Sequence, residues 1–239
     1  MVNILLVSPR TGEDIAAAEY ADVLKATGLS AHQLTQRMLD DETKQVGNTG
    51  EFSGIIVGGS PLLVTSEEYS AWQHKVHEEL NSLLEIPKPT FFLCFGNTLV
   101  AHLNGGQINR EFAEDSGATV VQLTEAGKTD RLTKGLPDEF LALTGHTENA
   151  VTTGRGAQLL ASGPSCPVQI VRANETSWAC QFHAEMDAAA MKTRMDFYFD
   201  YGYFSPDEYD SILSEINKHD YDPAHQVLRN FVDIAAGIR

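Results

Sequence analysis

The chain is poor in long apolar runs, in basic residues and in cysteine, and each shortage closes off a class of function. No apolar stretch reaches the about 20 residues that a bilayer-spanning helix needs, so no membrane partner is expected. Only 17 Lys and Arg stand against 33 Asp and Glu, giving a formal net charge of −16. That balance argues against an extended phosphate-binding face and removes nucleic acid from the expected partners. The three cysteines, Cys94, Cys166 and Cys180, have no paired spacing. They make neither a disulfide framework nor a zinc site and fit a reducing compartment. Met1 to Val7 lacks the basic flank and small-residue cleavage site of a secretory leader, so a cytoplasmic location is the expectation. Internal repeats and low-complexity tracts are absent too.

What remains is ordinary core-forming material. With 239 residues, 42% hydrophobic and 21% charged, the sequence can fill one large α/β domain. Asn3 to Ser8 reads as a buried strand. A helix follows, from a capping-box-like Thr11-Gly12-Glu13-Asp14 through Ala16, Tyr20, Val23 and Thr27 to Gly28. Ser30 to Leu34 suggests a short second strand, residues 35–51 are polar and irregular, and Ser53 to Val57 is a further buried strand. This rhythm predicts a doubly wound, mostly parallel sheet flanked by helices, with sites at the carboxyl ends of its strands. Ser66 to Leu84 reads as a helix on which His74 and His77 lie three apart; a pair without a third ligand fits a solvated face better than a metal. Short strand-like runs, from Thr119 to Leu123 through Trp178 to Phe182, occupy much of residues 107–185. Beyond Met186 the chain turns helical and aromatic, with packing onto the sheet as its expected role and a lid over the site as the other.

The stretch with the most chemical content is Thr90 to Leu103. Four apolar residues predict a buried strand, Gly96 frees the backbone, and a helix begins near Asn97. Cys94 falls at the elbow between them. A thiol there faces the helix's free N–H groups and positive dipole end, which favours the nucleophilic thiolate. Read alone, Cys94 equally fits a small buried residue ending a core strand. A thiolate acting on a carbonyl also needs a base, an orienter and oxyanion donors. His183 and Glu185 stand two apart after the Trp178 to Phe182 run, and an extended backbone sends both side chains to one face, about 6–7 Å apart. By themselves they fit a strand end and a surface charge as well. The Phe95 amide and an amide of Gly58-Gly59-Ser60-Pro61 are the candidate oxyanion donors, on a glycine loop that backbone and ligand can approach closely.

Taken together, Gly54-Ile55-Ile56-Val57-Gly58-Gly59-Ser60-Pro61, Leu93-Cys94-Phe95-Gly96, Gly145-His146-Thr147-Glu148 and Gln181-Phe182-His183-Ala184-Glu185 resemble class I glutamine amidotransferase domains. The order and spacing are similar to the stand-alone members related to the glutaminase part of GMP synthase. Over about residues 1–185, Gly135 to Phe140 and Gly156 to Ser162, followed by Cys166-Pro167-Val168-Gln169, look like connecting segments of that family. The resemblance implies one amidotransferase-like domain over 1–239, with a core at 1–185 and a helical segment at 186–239. It implies hydrolysis of the glutamine side-chain amide through a thioester, with Cys94 as nucleophile, His183 as base and then acid, and Glu185 as orienter. Gly59, Ser60, Phe95, Thr98, Gly145 and His146 are the implied oxyanion and substrate contacts. Neither metal nor cofactor is implied. Because no nucleotide-binding synthetase portion is visible, passing the ammonia on requires a synthetase partner chain.

Three positions depart from the family pattern. Asn97-Thr98 stands where His-Gln is common, and that glutamine helps bind substrate. His183-Ala184-Glu185 replaces His-Pro-Glu, and Phe92 occupies the usual glycine position two residues before the nucleophile. The second keeps both catalytic side chains, while the third predicts repacking beneath the elbow. Losing a polar substrate contact changes which amide is accepted. The competing readings are therefore a γ-glutamyl hydrolase or peptidase with a wider pocket, and a non-catalytic regulatory module of the same fold. What fills the space near Thr98 and Gly145 distinguishes the first two.

Overall fold

The computed structural model describes residues 2–199 and 201–238. The chain opens with β1 (Ile4–Ser8), α1 (Glu13–Thr27), β2 (Leu34–Met38), β3 (Gly54–Val57), α2 (Ala71–Glu85), β4 (Thr90–Leu93) and α3 (Phe95–Leu103). A small β5 (Ile108–Asn109) leads into β6 (Glu114–Leu123), α4 (Glu125–Thr129) and β7 (Glu139–His146). Then come β8 (Asn149–Ala150), β9 (Gln158–Ser162), β10 (Ile170–Arg172) and β11 (Ser177–Cys180), and the chain closes with α5 (Ala188–Phe197), α6 (Tyr209–Ile216) and α7 (Asp222–Ala235). Nine strands form one mixed sheet in the order β2-β1-β3-β4-β11-β10-β9-β6-β7. The pairings from β2 to β11 are parallel, whereas those from β11 to β7 are antiparallel.

Within the parallel half, β1, β3 and β4 are buried on both faces, which is why they read as unbroken apolar runs. Ile4, Leu6, Ile56, Phe91 and Leu93 face α1 and α7, packing with Val23, Val227, Leu228 and Phe231. Leu5, Val7, Ile55, Val57 and Phe92 face the other way, toward Val76, Leu80 and Leu83 of α2 and Leu99 and Val100 of α3. The alternation follows from the two-residue period of a strand. α7 is thus part of the main core, and its Phe231 ring lies 5.6 Å from that of Phe91.

Some local readings shift. The capping box at Thr11 to Asp14 does not form. Gly12, at φ 95°, precedes α1 with no side-chain cap, while Gly28 closes it in the left-handed conformation. The second strand starts at Leu34, because Ser30 and Gln33 form a reciprocal cap around a 3-10 turn, Ala31–Gln33. That strand is polar because it is an edge: Gln36 donates 3.0 Å to Ser8 Oγ and 2.9 Å to the Ala16 carbonyl. Helix α2 begins only after Ser70, whose hydroxyl accepts from the Gln73 amide. The freed residues before it form a loop over the site. Beneath the elbow, Phe92 packs directly against Gly96. A Cβ on Gly96 would lie 2.6 Å from Phe92 Cβ, so the bulk at 92 is accommodated by the absence of a side chain at 96.

Candidate active site

β4 ends at Leu93 and α3 starts at Phe95, so one residue makes the turn. Cys94 has φ 50° and ψ −102° and is the positive-φ non-glycine among the described residues. Such a backbone persists only where its surroundings hold it, and it is the geometry that lifts a nucleophile off the end of a sheet. The Cys94 amide donates 2.8 Å to the Cys180 carbonyl, extending the β4–β11 ladder into the turn. Cys94 is 8% exposed. The Phe95 amide is the first in the helix and has no acceptor within it.

β11 stops at Cys180, so the backbone carrying His183 and Glu185 is a turn and not the extended segment predicted. The His183 amide donates 2.8 Å to the Leu143 carbonyl, and that of Met186 donates 3.3 Å back to the His183 carbonyl. The side chains still meet, with His183 Nδ1 2.8 Å from Glu185 Oε1. This leaves Nε2 as the ring nitrogen without a carboxylate, and Cys94 lines the same cleft as the imidazole. Burial opposes the charged imidazolium, but Glu185 and Cys94 outweigh it and push the His183 pKa up to about 10. Burial likewise opposes the Glu185 carboxylate, and His183 overrides it, holding the pKa down to about 2.

The glycine loop after β3 meets this group from the side. A Cβ on Gly59 would stand 3.1 Å from His183 Cε1 and 3.8 Å from Cys94 Cβ. The Gly59 amide does not face the thiol, because it donates 3.1 Å to Glu19 Oε1. The Gly59 amide is therefore spent on Glu19, while its neighbour Ser60 lines the cleft. Glu19, wholly buried on α1, also accepts from Ser8 Oγ at 2.6 Å and from Arg10 at 2.8 Å. Arg10 in turn donates 2.7 Å to the Gly59 carbonyl and 3.1 Å to the Tyr198 hydroxyl. The loop is thus pinned from both its amide and its carbonyl.

Thr98 and Gly145 line a narrow cleft with Cys94, Phe95 and Glu148. The Thr98 hydroxyl donates 3.0 Å to Glu148, whose carboxylate also accepts from the Val64 and Thr65 amides at 2.9 Å. Asn97 turns into the core, donating to the Val168 carbonyl and Gln181 at 3.2 and 3.0 Å. His146 lines the same cleft. Its Nε2 lies 2.9 Å from Glu114 Oε2, while Thr119, Ser165, Thr144 and Gln169 also donate to that carboxylate. Ligand atoms of Glu114, His146 and Cys166 lie within 4.8 Å of one another. A carboxylate already accepting from five donors has little left for a metal, and the cluster fits a hydrogen-bonded hub. His77 packs its ring on Phe95, centroids 5.9 Å apart, and burial lowers its pKa to about 4.

The family model described as Glutamine amidotransferase class-I matches residues 20–200. The chain belongs to the class I glutamine amidotransferase family. It is 26% identical over 164 residues to a glutamine-hydrolyzing GMP synthase subunit of Sulfurisphaera tokodaii, covering 68% of this chain and 80% of that protein. A GMP synthase of Syntrophomonas wolfei is 30% identical over 133 residues, 55% of this chain but 24% of that longer protein. Among solved structures, a glutamine amidotransferase from Thermotoga maritima aligns with a TM-score of 0.77 at 16% identity, covering 98% of this chain and 99% of that one. The last likeness shows the shared fold.

Sequence reading passed over Arg10, Glu19 and Arg194, and gave Glu148 and Tyr203 no part in the site beyond a matched motif and an aromatic cluster. Arg10 had a usable signal, since it follows directly on the carboxyl end of the first strand, where open α/β sheets bind ligands. Glu19 had one too, as a carboxylate on the buried side of a helix. Arg194 and Tyr203 had none, because only the return of the C-terminal segment over the sheet brings them to Cys94.

Proposed function

We propose that the protein hydrolyses a γ-glutamyl amide, with glutamine as the simplest substrate, through a thioester on Cys94. The observation that carries this reading is the convergence of Cys94, His183 and Glu185 at the end of β4 and β11. The Cys94 sulfur attacks the amide carbon while the Phe95 and Ser60 amides receive the developing oxyanion. His183 Nε2 then gives its proton to the departing nitrogen as the C–N bond breaks, Glu185 keeping the ring in place. Water, activated by the same imidazole, opens the thioester to glutamate and restores Cys94. With glutamine the released group is ammonia. We assign its consumption to a synthetase partner chain, in keeping with relatives that are single subunits of GMP synthase.

Ammonia release from glutamine, followed by mass spectrometry of acid-quenched enzyme, tests the reading. A glutamyl adduct confined to the Cys94 peptide is the expected result; turnover with Cys94 replaced by Ala removes the thiol from the mechanism.

A further inference from the structure

Two clefts meet at Cys94 and share Ser60, Gly145 and Tyr203. The narrower, about 270 Å³, runs past Phe95, Thr98 and Glu148 and contains the candidate oxyanion amide. It is the acyl side. The wider, about 500 Å³, contains His183, the group that protonates the leaving nitrogen. It is therefore the leaving-group side. Ammonia is close to water in size, and a water needs about 10–15 Å³ of space for its centre. The chamber leaves about 50 Å³ for such centres, more than deamidation alone requires.

The chamber's lining describes what fits. Met186, Met191, Met195 and Phe204 supply an apolar wall, and methionines adapt to differently shaped side chains. Arg10 and Arg194 line the same space, 2% and 7% exposed. Arg10 Nε and Arg194 Nε and Nη1 are buried without an acceptor among the described residues. Buried N–H groups of this kind are costly unless a ligand completes them. A carboxylate offers acceptors in the fork geometry a guanidinium prefers.

We infer that the leaving-group side takes an apolar amino acid, so that γ-glutamyl-amino acids are substrates alongside glutamine. This rests on the thioester chemistry proposed above. The Cys94 sulfur bonds to the γ-carbonyl carbon, the C–N bond to the amino acid breaks, and that nitrogen takes the His183 proton and leaves as a free amine. Water then releases glutamate. The apolar side chain of the departing amino acid lies on the methionine wall and its carboxylate meets the arginines.

The test compares kcat/KM of the intact protein for glutamine, γ-glutamylphenylalanine and γ-glutamylphenethylamide, which keeps the ring but lacks the carboxylate. The expected result is γ-glutamylphenylalanine within tenfold of glutamine or better, and the phenethylamide at least tenfold below γ-glutamylphenylalanine. A value for γ-glutamylphenylalanine more than tenfold below glutamine overturns the inference and leaves the thioester reading standing. A phenethylamide less than tenfold worse overturns the role given to the arginines. Hydrolysis of none of the three, with no adduct at Cys94, overturns both readings. In Met191→Trp the ratio of γ-glutamylphenylalanine to glutamine turnover falls at least tenfold. Arg194→Gln lowers that ratio but not the ratio for the phenethylamide. The wild-type panel decides the matter if either variant fails to fold.

Discussion

The protein contains two buried sets of cysteine, histidine and glutamate, built from the same side chains and doing different things. In one, His183 and Glu185 lie 2.8 Å apart beside Cys94; in the other, His146 and Glu114 lie 2.9 Å apart near Cys166. Both carboxylates are held near pKa 2, each against the effect of its own burial. The difference lies in what surrounds them. Glu114 opposes His146 in the β6–β7 register and is surrounded by hydroxyl and amide donors. Glu185 holds His183 with one oxygen and has no partner for the other among the described residues, and Cys94 stands on a strained turn at a helix start, open to a cleft. Residue types do not distinguish the two sets; the elbow, the unspent donors and the space beside the sulfur do.

The sharpest way to break that contrast is to remove each sulfur in turn. Cys94→Ala lowers amide hydrolysis by at least about a thousandfold, while Cys166→Ala stays within about threefold of wild type, measured as ammonia or amine release. Equal losses would mean the second cluster shares in the chemistry. Exchanging the carboxylates comes next. Glu185→Gln lowers kcat by about 10²- to 10⁴-fold with KM little changed, because orienting the base matters most in the transition state. Glu114→Gln instead lowers stability by about 1–3 kcal/mol, a Tm loss of roughly 2–12 °C, as donors around it lose a charged acceptor. A pure KM effect in the first, or an unchanged melting curve in the second, contradicts the assigned roles.

Labelling sharpens the comparison further. A glutamine-like chloroketone modifies Cys94 ahead of Cys166 and Cys180, as read by peptide mass spectrometry. Burial pushes the Cys166 thiol up to about 12 and the Cys180 thiol well above its ordinary value, so neither supplies thiolate at neutral pH. Even labelling of all three would remove the special setting of Cys94. The smallest effect is in the pH dependence of folding. The raised His183 pKa contributes stability in full below its ordinary value of 6.5, and that contribution is lost as pH rises through about 10. The depressed Glu185 pKa acts in the opposite sense, contributing above 4.5 and losing its effect as pH falls through about 2. The Tm advantage of wild type over Glu185→Gln is therefore level between about pH 5 and 6.5 and shrinks toward pH 10; an advantage that grows with pH reverses the sign and sinks the coupling.

Much of this was legible in the residues. The apolar runs Ile4 to Val7, Gly54 to Val57 and Thr90 to Leu93 are buried on both sides, and a strand with no solvent face has no polar alternation to misread. The elbow at Cys94 was legible because strand and helix periods change there. Harder to read was β2, whose polarity comes from lying at the sheet edge, and the turn at residues 181–185, whose geometry depends on a hydrogen bond to distant Leu143. Gly59 is among the loop residues expected at the oxyanion, and its amide is instead taken by Glu19, forty residues earlier in the chain.

The sequence by itself determined the alternation of strands and helices and the family to which the chain belongs, because both rest on short-range periodicity and on motifs in one order. Tertiary structure alone decided which of two Cys-His-Glu sets has an open sulfur. It also decided that a C-terminal segment with three methionines and an arginine walls the space beside it. Those outcomes depend on which groups far apart in the chain satisfy one another's hydrogen bonds and which are left facing a cavity, and neither is fixed until the sheet has closed.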